Sequence, residues 1–133
     1  MGLDSTLETK GLYARLSWQI IGCGMRAHTA LGPGLLESAY QECLCHELKR
    51  AGLQFRREMP IPITYREVTL ATEFRLDLLI EEAVVVEVKA VEHILKLHEA
   101  QLLTYLRMTG KRLGLLLNFN TVHFRDGIRR RVL

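Results

Sequence analysis

The sequence predicts an α/β fold in which helices pack on a central mixed sheet. Stretches with apolar residues three or four positions apart alternate with short runs rich in β-branched residues, as expected for helices and buried strands. The composition, with 48% hydrophobic and 25% charged residues over 133 positions, is that of a globular chain large enough for one core. We therefore expect residues 1–133 to form a single domain without a second catalytic unit.

The first predicted element is a helix from about Leu7 to Leu31, because its apolar residues form one stripe. That stripe consists of Leu12, Leu16, Ile20, Cys23, Ala27 and Leu31. Gly22 and Gly24 interrupt the helix, and glycine costs about 1 kcal/mol relative to alanine at such positions. We expect these glycines to allow close packing against a neighbouring element or a second subunit.

A second helix is predicted after the Gly-Pro-Gly breaker at residues 32–34. Apolar side chains recur at helical spacing over residues 36–48, and Gly52 ends the pattern. Glu37 lies three residues before Tyr40, so one turn of this helix presents a carboxylate and a phenol side by side.

Three strands are predicted to follow. The segment Gln54 to Leu70 alternates apolar and polar residues, but its prolines lack a backbone donor, so it belongs at a sheet edge. It forms a hairpin with a strand whose apolar residues share one face at a period of two. These residues are Phe74, Leu76, Leu78 and Ile80. The β-branched run Ala83 to Val88 predicts a buried central strand.

Two acids face each other in this predicted strand pair. If residues 81–83 form a three-residue loop, Ile80 lies opposite Val84 and Asp77 lies opposite Glu87, with Cβ atoms roughly 5 Å apart. Opposed carboxylates repel in an apolar sheet, so the pair requires a shared proton or a cation. A divalent metal such as magnesium fits, because magnesium binds one or two carboxylates and keeps several waters, which leaves room for a phosphate.

Lys89 extends this pattern, since it lies two residues beyond Glu87 and therefore on the same face. Its ammonium can neutralise a phosphate oxygen or, with a lowered pKa, help to activate water. Spacing alone leaves a second interpretation open. An acid ten residues before Glu-x-Lys also arises by chance, and a cross-strand Glu/Lys pair is a common surface feature.

A third helix is predicted from about Leu95 to Thr109, with Gly110 as its stop. Gln101 and Tyr105 form an i, i+4 pair on it. A compact apolar strand is then expected from Leu113 to Phe119. Residues 122–124 and 128–132 flank an Asp-Gly turn and predict a small terminal hairpin.

The charge pattern is mildly basic. A formal net charge of +3 permits a nucleic-acid partner without requiring one. Two basic zones could line a phosphate-binding surface. They contain Arg125 and residues 129–131 near the C terminus, and Arg56, Arg57 and Arg66 beside the first hairpin. An ordinary solvated face explains the same pattern equally well.

The cysteines and the apolar segments bear on the cellular location of the protein. Three cysteines inside predicted helices argue against a disulfide framework. Cys43 and Cys45 point about 200° apart on a helix, which argues against a shared zinc ion. No run approaches the ~20 apolar residues of a membrane span, and residues 1–10 lack the layout of a signal peptide. We expect a cytoplasmic protein.

Gly34, Glu37 and Tyr40 match the motif of the GxxExxY proteins, and the chain from about Ile20 onward resembles this branch of the PD-(D/E)XK nuclease superfamily. The resemblance implies a restriction-endonuclease-like αβββαβ core, preceded here by an extra N-terminal helix. It also implies a Mg²⁺- or Mn²⁺-dependent, endonuclease-like phosphodiesterase acting on nucleic acid, with DNA as the first candidate. A homodimer is expected by the same analogy.

The resemblance further implies roles for individual residues. The implied catalytic residues are Glu37, Asp77, Glu87, Lys89 and Gln101. The implied metal ligands are Asp77, Glu87 and the Val88 carbonyl, and the implied substrate contacts are Tyr40 and Tyr105. Two other classes stay open, a non-cleaving nucleic-acid-binding module and a self-assembling protein, because fold alone does not determine function. The complete set of two acids and a lysine favours the enzyme.

Overall fold

The computed structural model describes residues 11–133, so residues 7–10 of the predicted first helix lie outside the described part. The elements are α1 Ala14–Leu31, α2 Glu37–Arg50, β1 Phe55–Tyr65, β2 Val68–Ile80, β3 Val84–Lys89, α3 Lys96–Thr109, β4 Leu113–Asn118, a 3₁₀ turn Phe124–Gly127 and β5 Ile128–Val132. Among these helices, none is both long and apolar enough to cross a bilayer.

The five strands form one mixed sheet in the spatial order β1, β2, β3, β4, β5. The pairs β1–β2, β2–β3 and β4–β5 are antiparallel, whereas β3 and β4 are parallel. A parallel pair needs a crossover connection, and α3 supplies it. The predicted mixed sheet with flanking helices and an additional N-terminal helix is confirmed.

The loop between β2 and β3 has the predicted register. Ile80 pairs with Val84, so residues 81–83 form a three-residue connection. The regular pairing ends at Leu78 and Val86, one position before the two acids. The acids therefore lie where the two strands begin to part.

Helices cover both faces of the sheet. α1 and α2 pack on one face, in a buried cluster that includes Val86 and Leu115. α3 packs on the other face, in a cluster that includes Val85 and Leu116. Because both faces are covered, β3 and β4 are buried along almost their whole length, as central parallel strands usually are.

Strand β2 does not keep one apolar face. Phe74 and Leu76 pack in the cluster beneath α3, whereas Leu78 and Ile80 pack in the cluster beneath α1 and α2. The prediction that these four residues share a face is wrong. The alternation breaks at Asp77, between the two pairs.

Strand β1 changes face at the same level. Phe55 packs beneath α1 and α2, whereas Met59 and Ile61 pack beneath α3. Glu58 lies at the change and has a φ of 49°, which is uncommon for residues other than glycine. An irregular residue on each strand thus turns the outer half of the β1–β2 hairpin towards α3.

The two glycines of α1 differ in their surroundings. A Cβ atom added at Gly24 would lie 2.5 Å from the ring of Phe124, so the helix packs directly on this ring. At Gly22 the nearest atom is Arg26 Nη1 at 3.6 Å, which is ordinary contact. The predicted close packing is found at Gly24 and not at Gly22.

We expect Gly24→Ala to lower the free energy of unfolding by about 1–3 kcal/mol, because the added methyl group must displace the Phe124 ring. Gly22→Ala is the matched control, and helix propensity alone should raise its stability by up to about 1 kcal/mol. Urea denaturation followed by circular dichroism measures both variants. Equal stabilities would contradict this packing.

The C-terminal end differs from the predicted hairpin. Residues 122–124 form no strand, because Phe124 begins the 3₁₀ turn and buries its ring against Phe119, with ring centroids 5.0 Å apart. β5 pairs instead with β4, antiparallel, as the edge of the sheet. Burial of the Phe124 ring therefore determines the conformation here, and the Asp126-Gly127 turn signal does not produce a hairpin.

Candidate active site

The two acids lie side by side where the β2–β3 pairing ends. The Asp77 N–H donates to Glu87 Oε2 at 2.9 Å, and the Val88 N–H donates to Asp77 Oδ2 at 2.8 Å. Each carboxylate thus replaces a backbone carbonyl as the hydrogen-bond acceptor between β2 and β3. These bonds hold both side chains between the two strands. The second oxygen of each acid is left for another ligand.

Burial makes this pair difficult to ionise completely. Glu87 is 5% exposed, and its desolvation, together with the charge of Asp77, raises its pKa to about 8. Desolvation, aided by the charges of Glu37 and Glu58, raises the pKa of Asp77 to about 6, although the Val88 N–H lowers it. Near neutral pH the pair therefore carries one proton and one negative charge, and a cation could replace that proton.

Lys89 lies next to this pair on β3. It is half-buried, and its ammonium lowers the pKa of both Asp77 and Glu87. Its backbone carbonyl accepts the Phe119 N–H at 2.9 Å. The structure therefore brings the lysine together with the acids on a strand that is fixed on its β4 side.

Glu37 reaches the pair from the start of α2. It is the first residue of that helix, and its side chain is exposed. Its charge raises the pKa of Asp77 and of Glu87, so the carboxylate lies within electrostatic range of both acids.

Tyr40 anchors the loop before α2 and does not face the site. Its side chain is fully buried, and its hydroxyl donates to the Gly32 carbonyl at 2.6 Å and accepts the Leu35 N–H at 3.0 Å. The ring stacks on Phe119 with centroids 4.8 Å apart. A phenol enclosed in this way cannot contact a substrate, which corrects that prediction. Its hydrogen bonds fix the loop that places Glu37.

Two polar residues belong to the site although the sequence analysis did not select them. The buried Gln41 donates through Nε2 to Glu58 Oε1 at 3.0 Å and to the Asp77 carbonyl at 3.2 Å. It thereby joins α2 to both irregular positions of the hairpin. Gln41 was detectable as a polar residue one turn after Glu37 on an otherwise apolar stripe. Glu58 carried no signal, because period-two alternation does not reveal a positive φ.

Tyr105 and Gln101 reach the site from α3. Burial, followed by the charges of Glu87 and Asp77, raises the pKa of the Tyr105 hydroxyl, while a hydrogen bond with the Gln101 side chain lowers it. The Tyr105 ring stacks on Phe74, with centroids 4.3 Å apart. The structure thus brings both helix residues close to the acid pair.

Asn118, the last residue of β4, is a further positioning residue and was not among the predicted site residues. It is buried, and its side chain accepts the Val91 N–H at 3.0 Å and donates to the Val91 carbonyl at 2.9 Å. It is also the register partner of Lys89. These bonds fix the backbone that leaves the site after the lysine.

The arginines near the C terminus are engaged within the protein. Arg131 forms an ion pair with Glu99, Arg130 donates to the Leu12 carbonyl at 3.0 Å, and Arg129 donates to nearby backbone carbonyls. These contacts use some of the donors of the β5 arginines, in part on carbonyls of β5 itself. Arg125 of the same zone is exposed, and a phosphate-binding surface here stays a prediction.

The three arginines beside the first hairpin differ in their contacts. Arg56 pairs with Glu82 at 2.7 Å, and Arg66 lies over the Tyr65 ring at 5.5 Å. Arg57 is exposed. This second zone retains positive charge at the surface near the strands that carry the acids.

The donor set suits a hard divalent cation. In residues 11–133, no three His, Cys, Asp or Glu side chains lie close enough to hold an ion by themselves. Asp77 and Glu87 supply two carboxylates, and magnesium commonly binds through one or two carboxylates with water as the other ligands. Desolvation raises the pKa of both carboxyls, and a bound cation would offset the cost of ionising them, so the residues present fit such an ion.

The mixed sheet, the flanking helices and the position of the acid pair define an α/β restriction-endonuclease-like fold. Residues 14–131 match the family model of the PD-(D/E)XK nuclease superfamily, and the chain belongs to this superfamily. No curated protein and no solved structure matches the chain. Membership supports a nuclease-like function in general, in a superfamily that generally uses divalent metals.

Proposed function

We propose that this protein is a metal-dependent phosphodiesterase that cuts nucleic acid internally. The observation that carries this proposal is the hydrogen-bonded pair of Asp77 and Glu87 beside Lys89. Glu87 is buried and Asp77 is half-buried, so ionising both is costly. A bound cation would offset this cost, whereas packing alone would not.

The roles of the residues follow from their positions. Asp77 and Glu87, with the Val88 carbonyl, would hold Mg²⁺ or Mn²⁺, which when bound supplies positive charge against the charge that develops on the scissile phosphate. Lys89 donates a hydrogen bond from its ammonium and so positions the attacking water; when Nζ is neutral, it can accept the proton that the water loses as it attacks. Glu37 accepts a hydrogen bond from water on the helix side of the pair.

The α3 residues act on the other side of the pair. Tyr105 donates its hydroxyl proton to a phosphate oxygen, and Gln101 holds that hydroxyl in place. Gln41 on α2 positions the acid pair, because its side chain donates a hydrogen bond to the Asp77 carbonyl. Its own role is positioning and involves no contact with substrate.

We further propose that the protein acts on DNA, resides in the cytoplasm and forms a homodimer. An observation that favours self-association is Trp18, which is 76% exposed on α1, since large exposed apolar side chains often mark contact surfaces. A non-cleaving binding module is a weaker candidate, because Asp77, Glu87 and Lys89 lie together, as a cleaving enzyme would need.

We expect cleavage of at least one nucleic acid when Mg²⁺ or Mn²⁺ is added, and a loss of about 10²-fold or more in the Lys89→Ala variant. The substrates are supercoiled, linear and branched DNA and RNA, each with and without metal, and the products are resolved on gels. Lys96→Ala, at an exposed position at the start of α3, is the matched control. Absence of any metal-dependent cleavage above the Lys89→Ala level would refute the enzyme.

A further inference from the structure

A groove runs between α3 and the outer half of the β1–β2 hairpin. Its volume is about 440 Å³, which is within the range of sites for small ligands. Its walls include Phe74 on β2, and Leu97, Gln101, Tyr105 and Met108 on α3. The groove forms because the hairpin changes face at Glu58 and Asp77 and turns towards this helix.

The groove is apolar and exposed. Leu97 is 74% exposed and Met108 is 44% exposed, and no lysine, arginine, aspartate or glutamate is among the described residues that line it. Its polar groups include the Gln101 amide, the Thr104 hydroxyl and the His98 imidazole, whose Nδ1 accepts the Leu95 N–H. Apart from His98, no described lining side chain can carry positive charge towards a phosphate, and the walls suit a flat, weakly polar ring that needs a few hydrogen bonds at its edge.

The groove is continuous with the candidate active site. Tyr105 lines the groove and lies within electrostatic range of Glu87 and Asp77. Gln101 also lines the groove and forms a hydrogen bond with the Tyr105 side chain. A strand whose phosphate lies at the acid pair therefore has the groove next to it, on the Tyr105 side.

We propose, on the basis of the proposed function, that this groove binds an unpaired nucleobase adjacent to the scissile phosphate. The substrate class is then single-stranded or locally unpaired nucleic acid. In a duplex both faces of each base are stacked, and extruding one base costs a few kcal/mol. An unpaired strand offers its bases freely to the Phe74–Tyr105 ring pair and to the apolar side chains beside it.

The test measures binding to a fluorescein-labelled single strand and to the corresponding duplex by anisotropy. The full-length Lys89→Ala protein is used with Mg²⁺, so that turnover is slow. Leu97→Ser and Met108→Ser are combined in this background, and both positions are exposed, so the core stays intact. Val122→Ser, which is also highly exposed and lies outside the groove, is the control.

We expect the double variant to bind the single strand about tenfold more weakly, as when one base loses its partners, with little change for the duplex. The control variant should bind both as before. An equal loss on both nucleic acids, or no loss on the single strand, would overturn the proposal. A change in sedimentation of the double variant with unchanged strand affinity would also overturn it, since a second copy would then occupy the groove.

Failure of this inference is distinguishable from failure of the proposed function. If no form of the protein cleaves but the double variant loses its single-strand affinity, the groove binds bases and the enzyme proposal fails. If the protein with native Lys89 cleaves and the Leu97→Ser, Met108→Ser pair cuts single strand and duplex as well as that protein does, the enzyme stands and the groove proposal fails.

Discussion

Asp77→Asn should reduce metal-dependent cleavage by at least about 10³-fold, because a bound cation supplies several kcal/mol of charge stabilisation in the transition state. The substitution keeps an oxygen that accepts the Val88 N–H, so the fold should be retained. Metal binding, measured by titration calorimetry, should be lost together with activity. The variant thus removes the charge of Asp77 but keeps the hydrogen bond from the Val88 N–H that links β2 to β3.

The matched control for this substitution is Asp126→Asn, since Asp126 is an exposed acid in the 3₁₀ turn. It should bind metal and cleave as the unaltered protein does. Retention of full cleavage by Asp77→Asn would show that the acid pair does not hold the metal, and the proposed mechanism would fall.

Glu87→Gln should stabilise the metal-free protein at pH 8 by an amount of the order of 4 kcal/mol, and by almost nothing at pH 4. The pKa of Glu87 is raised from 4.5 to about 8 in the folded protein, and one pKa unit corresponds to about 1.4 kcal/mol. Between these two pH values the folded state binds more protons than the unfolded state, so stability falls as the pH rises. Glutamine does not ionise, so the variant does not lose this stability as the pH rises.

Urea denaturation with a chelator present, repeated from pH 4 to pH 8, measures the effect. Glu92→Gln, at a side chain that is 90% exposed, should show no such dependence. A stability difference between Glu87→Gln and the unaltered protein that is the same at every pH would contradict the burial of an ionisable pair.

The core of the fold could be predicted because its signals are local and strong. The three-residue loop and the apolar runs on either side determine the Ile80–Val84 pairing, and this pairing brings Asp77 to Glu87. The same count places Lys89 beside them. The order of helices and strands up to β4 follows from periodicity alone.

Other features depend on tertiary contacts that periodicity does not contain. The face change in the hairpin follows from the positive φ of Glu58, and a binary pattern carries no record of a dihedral angle. Helical spacing places Tyr40 on the buried stripe, but only the distant Gly32 carbonyl shows that its hydroxyl is structural. The local sequence predicts a strand at Phe124. The structure has a 3₁₀ turn there, because the Phe124 ring packs against Gly24 of α1.

The two peptide N–H groups that hold the acids also limit how a cation can be coordinated. One oxygen of Asp77 and one of Glu87 accept those N–H groups, so bidentate coordination by either carboxylate would compete with a backbone hydrogen bond. Calcium takes six to eight oxygens and often relies on bidentate carboxylates, whereas the smaller magnesium ion prefers few protein ligands and an octahedral shell. If the acid pair holds a cation, as we propose, the parting of β2 from β3 favours magnesium over calcium by ligand number.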